Sequence, residues 1–161
     1  MIPKRMRSVF SKTSEKHKGD NVVIEGKVVC CESDSFEIAI YGIIKNGLLL
    51  GEYLTPDNNI VVMNAQCKKC GNFIRIFDSS NDGYGCCDNR FFSNVMPITF
   101  NCKKCGSNNY SMNIKYEYPN KNELGMLGIN EPDNAFTWIW ITLKCNNCGK
   151  TYKNIVDIET D

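Results

Sequence analysis

Three short cysteine motifs carry the clearest chemistry in this sequence. Each is a C-x-x-C pair followed directly by glycine: Cys67-Lys68-Lys69-Cys70-Gly71, Cys102-Lys103-Lys104-Cys105-Gly106 and Cys145-Asn146-Asn147-Cys148-Gly149. The spacing lets two thiolates point at one metal ion, and the glycine permits the backbone angles of the tight turn beneath them. We call these motifs the first, second and third knuckle. Each supplies half of a tetrahedral four-cysteine site, so three knuckles require at least two metal sites.

The cysteines are predicted to bind metal and not to form disulfides. The chain has 161 residues and 10 cysteines. Residues 1–7 are charged, but no apolar stretch follows them, so no secretory signal is predicted. No apolar run reaches the ~20 residues of a membrane helix. We therefore expect a cytoplasmic protein, in a reducing compartment where cysteines stay available as thiolates for two structural Zn²⁺ ions.

The second and third knuckles form the stronger ligand set, Cys102, Cys105, Cys145 and Cys148, because each lies between two predicted strands. Residues 97–161, which contain both knuckles, resemble the zinc-ribbon proteins. In that family two knuckles at the ends of β-hairpins hold one zinc ion. The resemblance implies a ribbon fold and a structural zinc ion, and it indicates almost nothing about function.

The first knuckle needs two further ligands, and the sequence leaves their identity open. Proximity favours Cys86 and Cys87, which give the site Cys67, Cys70, Cys86 and Cys87. A mixed set with one ligand from Cys86/Cys87 and one from Cys30/Cys31 is a rival. Adjacent side chains in an extended segment point to opposite faces, so only one of Cys30 and Cys31 is expected to face a given side. A site that combines the first knuckle with the second is the least favoured ligand set, since the third knuckle would then have no second pair of cysteines.

The fold is predicted to be mainly β: an antiparallel meander or sheet with two zinc-ribbon-like four-cysteine sites and little helix. β-Branched and aromatic residues predict strands at 22–30, 36–41, 48–54, 60–63, 73–77, 110–118, 135–143 and 151–158. The aromatics Phe136, Trp138 and Trp140 share one face of a strand that is apolar on both faces, and we expect them in the core. A short helix is conceivable only in the tail or at 88–94.

Three segments are predicted along the chain. Residues 1–20 are expected to form a basic, flexible tail, because they are rich in Ser and Lys and lack apolar periodicity. Residues 21–96 would form an N-terminal β module with the first zinc site, and residues 97–161 the C-terminal zinc ribbon. The loop at 119–134 contains an apolar island at 124–128, expected to fold back on the sheet or, alternatively, to contact a partner.

The charge balance argues against a strongly basic protein. The formal net charge is +1. Because four thiolates outweigh one divalent ion, two zinc centres would change it to about −3. Positive charge is concentrated in the tail, where Lys4, Arg5 and Arg7 are candidate nucleic-acid contacts. The knuckle lysines are expected mainly to offset the charge of the metal centres.

No catalytic motif is present: the sequence lacks H-E-x-x-H, G-x-S-x-G and a P-loop, and its one histidine, His17, lies in the predicted tail. Four thiolates leave no open metal position, so the protein is not expected to be an enzyme. Two hypotheses remain: a protein-interaction module that serves as adaptor, subunit or inhibitor, or a nucleic-acid-binding zinc ribbon that uses the tail and knuckle lysines. Abundant Asn, Ile and Lys indicate AT-rich codons, as in a low-GC bacterium or its phage.

Overall fold

The computed structural model describes residues 1–49, 51–84, 94–129 and 131–160. Their regular structure is almost entirely β, as predicted, with one short α-helix and two 3₁₀ turns, Lys4–Met6 and Pro132–Asn134. The strands and the helix are β1 (Phe10–Lys18), β2 (Asn21–Val28), β3 (Phe36–Tyr41), β4 (Ile43–Gly47), β5 (Gly51–Thr55), β6 (Val62–Cys67), β7 (Phe73–Asp78), β8 (Ile98–Thr99), β9 (Tyr110–Tyr118), α1 (Lys121–Met126), β10 (Trp138–Cys145) and β11 (Thr151–Glu159).

Nine of these strands form one antiparallel sheet, and β4 and β5 form a separate hairpin. The order β1-β2-β9-β3-β6-β7 runs across the sheet, β10 and β11 extend it from β9, and β8 pairs with β3. Strand β9 is central, since β2 pairs along one side and β10 along the other. Its first residue, Tyr110, pairs with Phe36 at the start of β3. This residue pair links strands β1, β2, β9, β10 and β11 to strands β3, β6, β7 and β8.

One buried core covers both halves of the chain. It joins residues of β3, such as Phe36, to residues of β9 and β10, such as Tyr116 and Ile139. The β2–β9 and β3–β8 pairings also cross the predicted boundary at residue 96. The described parts of the two predicted modules therefore share a sheet and an apolar interior.

Residues 1–18 differ from the predicted flexible tail. Lys4–Met6 form a 3₁₀ turn with Met6 fully buried, and Phe10–Lys18 form β1. Strand β1 pairs with β2 through a two-residue connection, Gly19 and Asp20. A Gly-Asp dipeptide between two extended runs is a hairpin signal, which the sequence reasoning missed because β1 itself is polar on both faces.

Two further expectations are corrected by the structure. Phe136 is buried, but Trp138 and Trp140 are only half-buried on the outward face of β10, opposite Ile139 and Ile141. Of the strand predicted at 48–54, positions 51–54 belong to β5, whereas Leu48 lies at the tip of the hairpin that β5 forms with β4. The tryptophans stay half-buried because only the face of β10 that carries Ile139 and Ile141 packs into the apolar core.

The loop after β9 holds the helix. Asn120 caps α1 by accepting a hydrogen bond from the Glu123 backbone N–H at 2.9 Å. Leu124 is buried, so part of the apolar island does fold back, whereas Met126 and Leu127 are exposed. The segment 88–94 lies outside the described residues except for its last position. Within the described ranges, no helix is long and apolar enough to cross a membrane.

Candidate metal centres

The three knuckles adopt the same turn. In each, the glycine N–H donates to the carbonyl of the first cysteine, at 2.8 Å for Gly71, 2.7 Å for Gly106 and 2.9 Å for Gly149. These glycines have φ values of 75°, 75° and 76°, a left-handed conformation that other residues adopt at a cost. The repeated turn presents both thiols of each knuckle on one side.

The second and third knuckles face each other. The Sγ atoms of Cys102 and Cys148 lie 3.6 Å apart, as do those of Cys105 and Cys145. Cys145 ends β10 and pairs with Tyr110 at the start of β9, so the β-ladder aligns the two knuckles. The structure thus brings together the four cysteines that the sequence grouped, and we call this set the second centre.

The first knuckle meets Cys30 and Cys31. The Sγ atoms of Cys30 and Cys70 are 3.6 Å apart, and those of Cys31 and Cys67 are 3.7 Å apart. We call this four-cysteine set the first centre. Cys86 and Cys87, which proximity in sequence favoured, lie outside the described residues. The four thiols of the first centre already provide all four ligands of a tetrahedral site.

A tight turn lets both vicinal cysteines point to the knuckle. Cys30 and Ser33 exchange two backbone hydrogen bonds of 2.9 Å, and the two residues between them, Cys31 and Glu32, have φ values of 46° and 64°. This is the geometry of a type I′ turn. The expectation that only one of the pair could face the site is wrong, because it assumed an extended backbone at Cys30 and Cys31. The turn-forming run after Cys31 was the signal.

The sulfur spacing fits a tetrahedral metal centre. A four-thiolate zinc site with bonds of about 2.3 Å places its sulfurs about 3.8 Å apart. The shortest observed separations are 3.6 to 3.7 Å, and within each set all four sulfurs lie within 4.8 Å of one another. All eight cysteines are free thiols in the structure. Both sets could hold a metal ion.

Hydrogen bonds to sulfur lower the pKa of one cysteine in the first centre, Cys67, and of two in the second, Cys102 and Cys105, whereas the pKa values of Cys30, Cys31 and Cys148 are raised. Burial opposes ionisation of Cys102, but hydrogen bonds from the Tyr152 hydroxyl and from the backbone N–H groups of Cys105 and Lys104 lower its pKa to about 6. In the first centre, the backbone N–H of Cys70 lowers the pKa of Cys67 to about 7. Because metals bind cysteine as thiolate, these donors support ligation.

Three of the four lysines in the first and second knuckles contact the chain itself. Their acceptors, with distances from Nζ, are Asn108 Oδ1 for Lys68 (2.8 Å), the Cys31 carbonyl for Lys69 (3.0 Å) and Glu52 for Lys103 (2.9 Å). Glu52 also pairs with Lys150 at 3.1 Å. Of these lysines, Lys69 lies beside the first centre, whereas Lys103 is paired with a carboxylate.

The three candidate nucleic-acid cations of the N-terminal segment are also paired. Lys4 pairs with Glu131 at 3.0 Å, Arg7 with Asp133, and Arg5 with Asp82. Arg5 additionally donates to the backbone carbonyls of Arg75 and Ile76 at 2.7 and 3.1 Å. The structure therefore places these side chains in intramolecular contacts that fasten the N-terminus to the sheet.

Comparison with protein-family models, with curated proteins and with solved structures found no match for this chain.

Proposed function

We propose that the protein binds two Zn²⁺ ions, one at each four-cysteine centre, and that both ions are structural. The observation that carries the proposal is that each set consists of four convergent thiols at tetrahedral spacing. Four thiolates occupy every position of tetrahedral zinc, which leaves none for water or substrate. A non-catalytic role follows from that ligand set.

The position of the centres explains what the ions contribute. The first centre connects the turn between β2 and β3 to the turn between β6 and β7, and the second connects the turn before β9 to the turn between β10 and β11. Each ion would hold together turns that are distant in sequence. Structural zinc sites contribute apparent folding free energies of about 10–16 kcal/mol. Folding is therefore expected to depend on metal.

We further propose that this zinc-stabilised β scaffold binds a protein partner. The tip of the β4–β5 hairpin exposes Leu48 and Leu49 almost completely. Adjacent leucines held fully in water at a hairpin tip suit insertion into an apolar site on a partner. Binding of nucleic acid through Lys4, Arg5 and Arg7 receives less support, because each of the three already has a carboxylate partner.

Elemental analysis with intact-complex mass spectrometry tests the zinc proposal. We expect two zinc ions per chain purified under reducing conditions, and loss of structure by circular dichroism after chelation. Iron in place of zinc would contradict the assignment of the metal. A metal-free chain that stays folded under reducing conditions with a chelator would contradict the structural role.

The partner proposal is tested by affinity capture with an immobilised Leu48→Ser/Leu49→Ser variant. The matched control is Met126→Ser/Leu127→Ser, which changes two exposed apolar residues on α1 and its C-terminal cap. Proteins retained by the wild type and the control, but not by the hairpin variant, are the expected result. Equal retention by all three chains would exclude the hairpin tip as the contact.

A further inference from the structure

A polar groove lies on the outward face of the sheet beside the second centre, and it reaches the buried residues Met112 and Cys145. Its volume is about 600 Å³. It is lined by residues of β2, β9, β10 and β11, of the turn before β3 and of the third knuckle, among them Lys27, Asp34, Ser111, Asn113, Thr142 and Lys144. Strand register places Lys27 beside Asn113, Asn113 beside Thr142, and Ser111 beside Lys144. The groove is thus built on neighbouring positions of three paired strands.

The charged side chains that line this groove make no ion pair or hydrogen bond with other described residues. Lys27, Lys144 and Asp34 are exposed, and none has a side-chain hydrogen bond or ion pair within the part of the chain that the structure describes. This distinguishes the two lysines from Lys4 and Arg5, which are paired with carboxylates. Two cations without partners stand against one carboxylate among the side chains that line the groove, and Cys145 of the second centre lines it as well.

An aromatic platform adjoins the groove along β10. Trp138 and Trp140 stack on each other, with ring centroids 5.6 Å apart and planes 11° from parallel. The Trp138 indole N–H donates to Asp157 at 2.7 Å, which fixes that ring. Trp140 points to the same face as Thr142 two residues later. A half-exposed indole therefore stands next to the polar lining.

We propose that this face binds single-stranded nucleic acid, with phosphates at Lys27 and Lys144 and a base stacked on Trp140. Single-strand binding characteristically combines a positively charged groove with aromatic side chains on which bases stack. The Ser111 hydroxyl and the Asn113 amide also line the groove, have no side-chain hydrogen bond within the described ranges, and supply further hydrogen bonds to sugar or phosphate. The inference goes beyond the proposed function and does not depend on a protein partner.

Fluorescence anisotropy of labelled oligo(dT) and oligo(rU) of about 12 nucleotides tests the proposal on the full-length, zinc-loaded chain. We expect binding that weakens as salt rises from about 50 to 200 mM. The double variant Lys27→Gln/Lys144→Gln should lower the salt slope by about 0.7 for each lysine. Trp140→Ala should weaken binding at least about 5-fold. Asp34→Asn should tighten it, because a carboxylate near the phosphates is removed.

The control is Lys45→Gln/Lys121→Gln, which removes two exposed lysines outside the groove and should bind as wild type does. Zinc content and circular dichroism verify that each variant folds. Absence of binding to either oligonucleotide at about 50 mM salt overturns the proposal. Equal affinity of the wild type and the groove double variant also overturns it. Weaker oligonucleotide binding by Asp34→Asn has the same consequence, since removal of a carboxylate beside bound phosphates should not weaken their binding.

Discussion

Replacing Cys31 by serine tests whether the vicinal cysteines complete the first centre. Cys31 lies in a turn, and its Sγ is 3.7 Å from that of Cys67. Cys31 is exposed, so the substitution disturbs little apolar packing. Any large effect must then arise from the loss of one metal ligand.

The size of the effect follows from the ligand count. Loss of a group that merely supports a ligand costs about 10- to 100-fold in metal affinity, so loss of one of four thiolates should cost at least about 100-fold. A factor of 100 corresponds to about 2.7 kcal/mol. For a chain of this length, that loss of stability lowers Tm by roughly 5–10 °C or more.

The assay is zinc stoichiometry by native mass spectrometry, combined with thermal unfolding followed by circular dichroism. Wild type should hold two zinc ions and Cys31→Ser one, with a lower Tm. Cys86→Ser/Cys87→Ser is the matched control and should still hold two. Cys148→Ser should lose the other ion. The reasoning is refuted if Cys31→Ser keeps both ions while the Cys86/Cys87 double variant loses one.

Three further predictions concern the fold around the centres. Gly26→Ala should lower the free energy of unfolding in urea by about 1–3 kcal/mol, because the added Cβ would lie 2.6 Å from the Ser11 carbonyl oxygen. Gly125→Ala, whose added Cβ meets open space, should leave that free energy unchanged or raise it. Arg5→Met should lower the free energy of unfolding by about 3–5 kcal/mol in the same assay, because it leaves the buried Asp82 carboxylate without its cation. An unchanged urea midpoint would show that this ion pair does not stabilise the fold. Tyr152→Phe removes the hydroxyl that lies 3.6 Å from the Cys102 sulfur and accepts a hydrogen bond from the Lys103 N–H at 2.9 Å. Zinc should then pass to a competing chelator about 10-fold more readily. An unchanged zinc transfer would show that the hydroxyl does not support the Cys102 ligand.

Local sequence patterns were sufficient for much of the fold. The alternation of residues predicted β3 and β9 with the bounds that the structure shows, Phe36–Tyr41 and Tyr110–Tyr118. Fold class was predictable because β-branched and aromatic residues dominate the runs between turn-forming clusters. The shared C-x-x-C-G spacing grouped Cys102, Cys105, Cys145 and Cys148, since the turn geometry of a knuckle is fixed within five residues.

The N-terminal strand could not be predicted from composition. Strand β1 is mostly exposed and polar, and its backbone is held by the ladder to β2. The buried anchors Met6 and Phe10 and the ion pair of Arg5 with Asp82 also depend on residues far away in the chain. Cations that looked free in the sequence are therefore paired in the fold.

Short segments of the chain are enough to specify a β protein with thiol-rich turns suited to metal, because strand propensity and knuckle spacing are local properties. That Cys30 and Cys31 both face the first knuckle depends on the folded chain, since a left-handed turn overrides strand alternation and the β3–β6 ladder sets Phe36 beside Cys67. Folding also leaves some lysines without an ion-pair partner among the described residues, Lys27 and Lys144 among them, because ion pairs form between strands and loops that are remote in sequence.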